Sequence, residues 1–308
     1  MKVTGVFEPF LPLCRRLLPG GLAGLSVALL KSTALEAAIL AGHLLLYPTG
    51  LTPERRPPVP VIPPSPAVPA TPGAHATPAA PAAPPAERDG TARLPVRTVP
   101  PVVLLHGFID NRSVFVLLRR TLARHGGQRV ESLNYSPLTC DIRTAAELLG
   151  RHIEEICERT GSPRVDIVGH SLGGLIARYY VQCLGGDLRV GTLVTLGTPH
   201  SGTRVAPLAD AHPIVRQMRP GSEVVEELAR PAPGCRTRFV SFWSDLDSLM
   251  DPVETARIEH PDLVATNVRV TGIGHLALPV HPAVAVGIRE ALDEARSEER
   301  TAGGLTVA

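Results

Sequence analysis

The chain has 308 residues, a formal net charge of +2 and five cysteines. That length holds one full-sized catalytic domain plus additional material, and not two large domains. The balanced charge, with basic residues scattered among acidic ones and few aromatics, leaves no electrostatic case for nucleic-acid binding.

None of Cys14, Cys140, Cys157, Cys183 and Cys235 forms a C-x-x-C pair, which argues against a zinc ribbon or a thioredoxin-like redox site. Cys157 and Cys183 fall in helical patterns and read as small buried hydrophobes. Cys140 and Cys235 fall in loop-like sequence, and a disulfide between them is left open, because Cα separation decides it.

Residues 1–47 are apolar. Lys2, Arg15 and Arg16 precede an uncharged run, Leu17 to Leu30; Lys31 and Glu36 interrupt it, and a second apolar run, Ala37 to Tyr47, follows. Crossing a bilayer takes about 20 apolar residues, which neither run supplies alone. Joined, they carry two charges that each cost about 2.5–3.5 kcal/mol near the bilayer centre. Three readings stand: a membrane anchor or membrane-associated helical hairpin, an export signal, and a soluble helical appendage. Pro19, Gly20 and Gly21 would bend or break a single long helix. Residues 48–94 are rich in proline and alanine. Such a stretch cannot pack a core and serves as an extended polyproline-II spacer. A spacer between an apolar N-terminus and a globular domain points to export to the cell envelope, membrane-anchored or secreted.

Residues 95–296 carry the fold, and residues 297–308 read as a polar tail. Apolar runs with strand character lie at Val102–Leu105, Arg129–Leu133, Val165–Val168, Val190–Leu196, Arg238–Trp243 and Asn267–Val270. Helical patterns lie between and after them at Val114–Arg124, Thr144–Arg159, Leu172–Leu184, Glu223–Arg230 and Ala283–Arg296. Val102 to Leu105 and Asp166 to Val168 are nearly continuous apolar runs, as in strands buried on both faces of a parallel sheet. The alternation predicts an α/β domain, a mostly parallel sheet of about six strands flanked by helices.

Gly169-His170-Ser171-Leu172-Gly173 is a G-x-S-x-G pattern placed after a strand and at the start of a helix. In that context it predicts a strained turn that exposes the Ser171 hydroxyl as a nucleophile at the C-terminal edge of the sheet. A helix-capping serine is the alternative. The oxyanion donors expected with it are the backbone N–H groups of Leu172 and of Phe108, in the His106-Gly107-Phe108 loop after the first strand. His106 itself reads as a structural hydrogen-bonder. The base follows the last strand, in Thr271-Gly272-Ile273-Gly274-His275, and His275 is the expected residue. His281 reads as a helix start, and His200 comes too early in the chain. The acid follows the strand Arg238–Trp243. Asp245, Asp247 and Asp251 all qualify by position, with Asp247 best placed to curl back to the histidine.

V-V-L-L-H-G-F, D-I-V-G-H-S-L-G-G, F-W-S-D-L-D-S-L-M and V-T-G-I-G-H-L, in this order, resemble the small bacterial lipases and esterases of the α/β-hydrolase superfamily, including the minimal Bacillus type. The likeness runs from about residue 101 to 292. It implies a triad of Ser171, Asp247 and His275, with Phe108 and Leu172 as oxyanion donors. Gly197-Thr198-Pro199-His200-Ser201-Gly202 looks like a segment of other lipases that the minimal Bacillus lipases lack. With Arg204 to Cys235 it leaves open whether a lid covers the site.

The expected activity is carboxylic-ester hydrolysis through an acyl-enzyme, on an acyl ester or lipid with an apolar tail lined by Phe108, Ile109 and Leu276. No metal or organic cofactor is required. A thioesterase, amidase or acyltransferase could use the same triad, and an inactive membrane-tethered binding protein is a further alternative. The oligomeric state is not written in the sequence.

Overall fold

The computed structural model describes residues 27–51, 99–124, 128–136, 140–205 and 212–304. Cys14, the breakers Pro19 to Gly21 and nearly all of the spacer expected over 48–94 lie outside the described residues.

In chain order the helices are α1 (Val27–Leu51), α2 (Val116–Arg124), α3 (Ile142–Thr160), α4 (Leu172–Cys183), α5 (Pro213–Gln217), α6 (Glu223–Leu228) and α7 (Pro282–Gly304). The strands are β1 (Val102–Leu105), β2 (Val130–Leu133), β3 (Val165–His170), β4 (Val190–Leu196), β5 (Arg238–Ser244) and β6 (Val264–Val270). They form one sheet in the order β2-β1-β3-β4-β5-β6. Every pairing is parallel.

Side-chain alternation divides the core into two layers. Val103, Leu105 and Ile167 face a cluster with Leu149, Ile153 and Ile156 of α3 and Leu175 and Ile176 of α4. Val102, Leu104 and Val168 face the opposite cluster, with Leu118 and Leu122 of α2 and Ile288 and Leu292 of α7. The interior strands β1 and β3 are buried throughout, whereas β6, at the edge, alternates between exposed and half-buried residues. Local chemistry sets the helix ends. Asp141 caps α3 by accepting the Thr144 amide at 2.7 Å, and Gly161 closes it in the left-handed region at φ 68°.

Four expectations change. From Val27 onward the end of the first apolar run and the whole of the second form one helix: α1 continues through Lys31 and Glu36, whose side chains meet different environments. Glu36 is buried against the domain and Lys31 is exposed. The helix also passes the expected spacer start at Pro48 to reach Leu51, since Asn134 Nδ2 and Arg112 Nε donate to the Gly50 carbonyl at 2.6 and 3.2 Å. A lost intrahelical bond near a C-terminus is tolerated when side chains serve the end carbonyls. At the other end of the chain α7 runs on to Gly304, so the expected tail begins as helix.

The cysteines are the fourth. Cys140 and Cys235 are both free; each packs against the α3/α4 core cluster rather than forming a disulfide. Cys183 ends α4 and is exposed, while Cys157 is buried as expected.

Candidate active site

Ser171 joins β3 to α4. It is the one non-glycine residue with positive φ among the described residues, at φ 53° and ψ −121°. Such a conformation costs about 1–3 kcal/mol and persists only where the surroundings impose it. They do so here. The Ser171 amide donates to Leu196 O at 2.9 Å, and Thr198 Oγ1 donates to Ser171 O at 3.0 Å. The flanking glycines permit the turn: a Cβ on Gly169 would sit 2.5 Å from the Gly174 Cα, and one on Gly173 2.5 Å from the His106 carbonyl oxygen. The Ser171 side chain makes no capping hydrogen bond, so the helix-cap alternative finds no support. Leu172 is the first residue of α4, where an amide has no partner within the helix.

Asp247 and His275 leave the ends of β5 and β6 on the same side of the sheet. Asp247 Oδ2 is 2.8 Å from His275 Nδ1, and the pair is almost fully buried. Asp247 Oδ1 accepts the amides of Leu249 and Met250 at 3.0 and 3.2 Å, which fixes the carboxylate. With Nδ1–H donating to Asp247, Nε2 carries the lone pair. Burial pushes the His275 pKa down; the Asp247 charge and hydrogen bond, then Glu36 and Asp110, outweigh it and leave it raised. Of the other two aspartates, Asp245 pairs with Arg269 at 2.9 Å, and the Asp251 backbone bonds Thr203 and Arg204.

His170, the residue before Ser171, packs against His275. The His170 ring lies 4.7 Å from that of His275, and His170 Nε2 donates to the His275 carbonyl at 3.3 Å. Phe108 and Ile109 form the half-buried bend after β1, and a Cβ on Gly107 would lie 3.3 Å from the Ser171 Cβ. Leu276, expected to line the substrate, follows His275 and is buried.

His106, His200 and His281, the other histidines weighed for the base, sit in structural surroundings. His106 stacks on Tyr135 at 4.5 Å, and the Tyr135 hydroxyl donates to the His106 carbonyl at 2.6 Å. His200 is buried with Nε2 2.9 Å from Thr195 Oγ1, and burial holds its pKa well below the usual value. His281 precedes α7 as expected. In the Arg204 to Cys235 stretch, Ile214, Val215, Val224 and Leu228 are buried in the α3/α4 cluster.

Two features were not read from the sequence. Asp110, buried, lies 3.4 Å from His170 Nδ1 and 3.2 Å from His43 Nδ1 of α1. Burial would raise its pKa; His170 and then His43 outweigh that and lower it. Glu36 of α1 accepts the amides of Leu276 and Ala277, both at 2.9 Å. The one signal for them was the presence of Glu36 and His43 in an apolar run.

A family model described as alpha/beta hydrolase fold matches residues 100–230. That span holds β1 to β4 and the elbow at Ser171. The chain has the α/β-hydrolase fold. Among curated relatives, a triacylglycerol lipase of Pseudarthrobacter phenanthrenivorans is 32% identical over 114 residues, 34% of this chain and 35% of that protein. A triacylglycerol lipase of Vibrio cholerae is 28% identical over 181 residues, 57% of this chain and 52% of that protein. The chain thus spans only about a third to a half of the length of these relatives. Among solved structures, Aspergillus fumigatus lipase B superposes with a TM-score of 0.54 at 18% identity, over 60% of this chain and 50% of that one.

Proposed function

We propose that the chain is a serine hydrolase that cleaves carboxylic esters, with Ser171, His275 and Asp247 as its triad. The observation that carries the reading is the buried 2.8 Å contact between Asp247 and His275, held beside the strained Ser171 turn.

In this reading His275 Nε2 takes the Ser171 hydroxyl proton as Oγ attacks the ester carbonyl. The oxyanion forms toward the amides of Leu172 and Phe108, each such donor contributing about 2.7–4 kcal/mol to the transition state. Asp247 holds the tautomer and stabilises the imidazolium. The imidazolium then protonates the leaving alkoxide. Water, deprotonated by His275, releases the acid from the acyl-enzyme.

An acyl ester or lipid substrate fits the half-buried apolar bend at Phe108 and Ile109 and is supported by the lipase relatives. The chemistry of these residues calls for no metal or organic cofactor. Membrane association through the N-terminal region and placement in the cell envelope are part of the proposal. The outward side of α1 supports it: Leu30, Leu44 and Leu45 are exposed there. Flotation of the full chain with phospholipid vesicles tests this part; a chain that stays at the bottom of the gradient contradicts it.

The catalytic test is hydrolysis of p-nitrophenyl esters of graded chain length. The full chain is expected to turn them over and Ser171→Ala to lose turnover while folded. Retained turnover in a folded Ser171→Ala chain overturns the reading.

A further inference from the structure

α1 docks with its polar side inward. Its buried polar residues, Ser32, Glu36 and His43, share one helical face, and the half-buried Ile39 of that face packs against the α2/α7 core cluster. The outward face carries exposed leucines and alanines together with Lys31. An apolar helix thus brings a carboxylate, near its middle, to the catalytic domain.

The receptor for Glu36 is the loop that carries His275. Leu276 N donates to Oε2 and Ala277 N to Oε1, both at 2.9 Å. On the other side of His275, Gly274 makes room: a Cβ there would lie 2.5 Å from Glu36 Cδ and 2.7 Å from Cγ. The residues flanking His275 therefore both conform to one side chain from a helix more than two hundred positions away in the chain. Two successive amides directed at one carboxylate form an anion-binding arrangement. Within the loop, Leu278 N donates to the His275 carbonyl at 3.4 Å and Ser244 Oγ to the Ile273 carbonyl at 2.5 Å. Without Glu36, the two amides that follow His275 would be buried without a partner.

We propose that Glu36 is a positioning residue for His275: its carboxylate clasps the backbone that follows His275 and adds negative charge beside the imidazole, which makes α1 a working part of the catalytic domain. The proposal rests on the reading of His275 as the base for Ser171. Asp247 orients the ring through Nδ1; Glu36 fixes the peptide that carries the ring. The two carboxylates hold different parts of the same residue and cannot substitute for one another.

The charge gives a readout that mere structural support would not move. His275 is faced by three carboxylates, Asp247, Glu36 and Asp110, and by the ring of His170. Glu36 is faced by His275 and Asp247, and its own pKa is raised, chiefly by burial, against the pull of the two amides and His275. The acidic limb of kcat/KM reports protonation of the base. A negative charge beside His275 favours the imidazolium and moves that limb to higher pH. Removing it moves the limb to lower pH.

The experiment is Glu36→Gln in the full chain, assayed on a p-nitrophenyl ester across pH, with Lys31→Ala on the outward face as control. Gln offers one acceptor oxygen and turns an NH2 toward the second amide. The expected result is a fall of about 100-fold in kcat, the scale set by small misplacement of a catalytic group. KM should change little, and the acidic limb should move to lower pH. Lys31→Ala should match the unsubstituted chain. Should Glu36→Gln fail to fold, Gly274→Ala is the second variant. It pushes the carboxylate away from the loop, and should lower kcat and move the acidic limb to lower pH; a folded Gly274→Ala chain with either unchanged overturns the proposal.

Activity of folded Glu36→Gln within about twofold of the unsubstituted chain overturns the proposal, since loss of oriented geometry costs far more. A fall in activity with an unmoved limb in folded Glu36→Gln overturns it too, because Glu36 is then support alone. If the unsubstituted chain neither hydrolyses esters nor reacts with a fluorophosphonate at Ser171, the ester-hydrolase reading falls and the role of Glu36 falls with it.

Discussion

Two helices meet the same catalytic corner and are held by opposite forces. α4 begins at Ser171 and buries Leu172, Leu175, Ile176 and Val181 in the core. α1 reaches the His275 loop and buries Ser32, Glu36 and His43, while Leu30, Leu44 and Leu45 face outward. The first is held by apolar area removed from water, about 1.5–3 kcal/mol for each large side chain fully buried. The second is held by directed bonds. A carboxylate is expensive to bury unless hydrogen-bonded, and a hydrogen bond to a charged group contributes about 1.5–3 kcal/mol. Hydropathy therefore reports how α4 packs and inverts for α1.

The largest expected effects lie at the α4 side of the corner. Ser171→Ala is expected to lower kcat by roughly 10⁶-fold, as loss of a serine nucleophile does in comparable triads, with the thermal unfolding curve little changed, because alanine keeps the Cβ that strains the positive φ. Between the two helices, Asp247→Asn is expected to cost about 10⁴-fold by favouring the wrong imidazole tautomer. The pH profile of the unsubstituted chain sharpens this. Catalysis needs neutral His275, and its pKa is raised in the folded protein. Activity should thus fall, as pH is lowered, at a pH above the ordinary histidine value of about 6.5. An acidic limb below that value contradicts the carboxylate surroundings described for His275.

Stability separates the two helices at smaller scale. Leu175→Ala in α4 opens a cavity in the core and is expected to destabilise the fold by about 2–5 kcal/mol in denaturant unfolding. Leu45→Ala on the outward face of α1 is expected to stay within about 0.5 kcal/mol. Equal losses at the two positions would mean that the outward face of α1 is packed against protein, and the comparison would fail.

The sequence carried the sheet well: Val102–Leu105 is a continuous apolar run, and Val190–Leu196 a β-rich one, whose ends coincide with what the fold uses. The turn at Ser171 was legible from its glycines: a Cβ at 169 or 173 would collide with nearby backbone in this strand-to-helix turn. By position Asp245, Asp247 and Asp251 all qualified, with Asp247 best placed; in the structure Asp247 meets His275 Nδ1, while Arg269 pairs with Asp245. What stayed hidden was long-range and polar. The contacts of Glu36 with residues 276 and 277, and of His43 with Asp110, have no local pattern. In an apolar run, such residues read as interruptions. The short helices α5 and α6 gave a mixed result: Glu223–Leu228 was foreseen, whereas Pro213–Gln217 is too brief to show a period.

The central claim is that Ser171 becomes acylated with His275 as its base. Reaction of the full chain with a fluorophosphonate ester, followed by peptide mass spectrometry, tests it most directly. The expected result is a single phosphonyl adduct on the peptide containing Ser171, abolished in folded Ser171→Ala and slowed in Asp247→Asn. A folded, ester-hydrolysing chain with no adduct at Ser171, or with the adduct on another residue, would contradict the account.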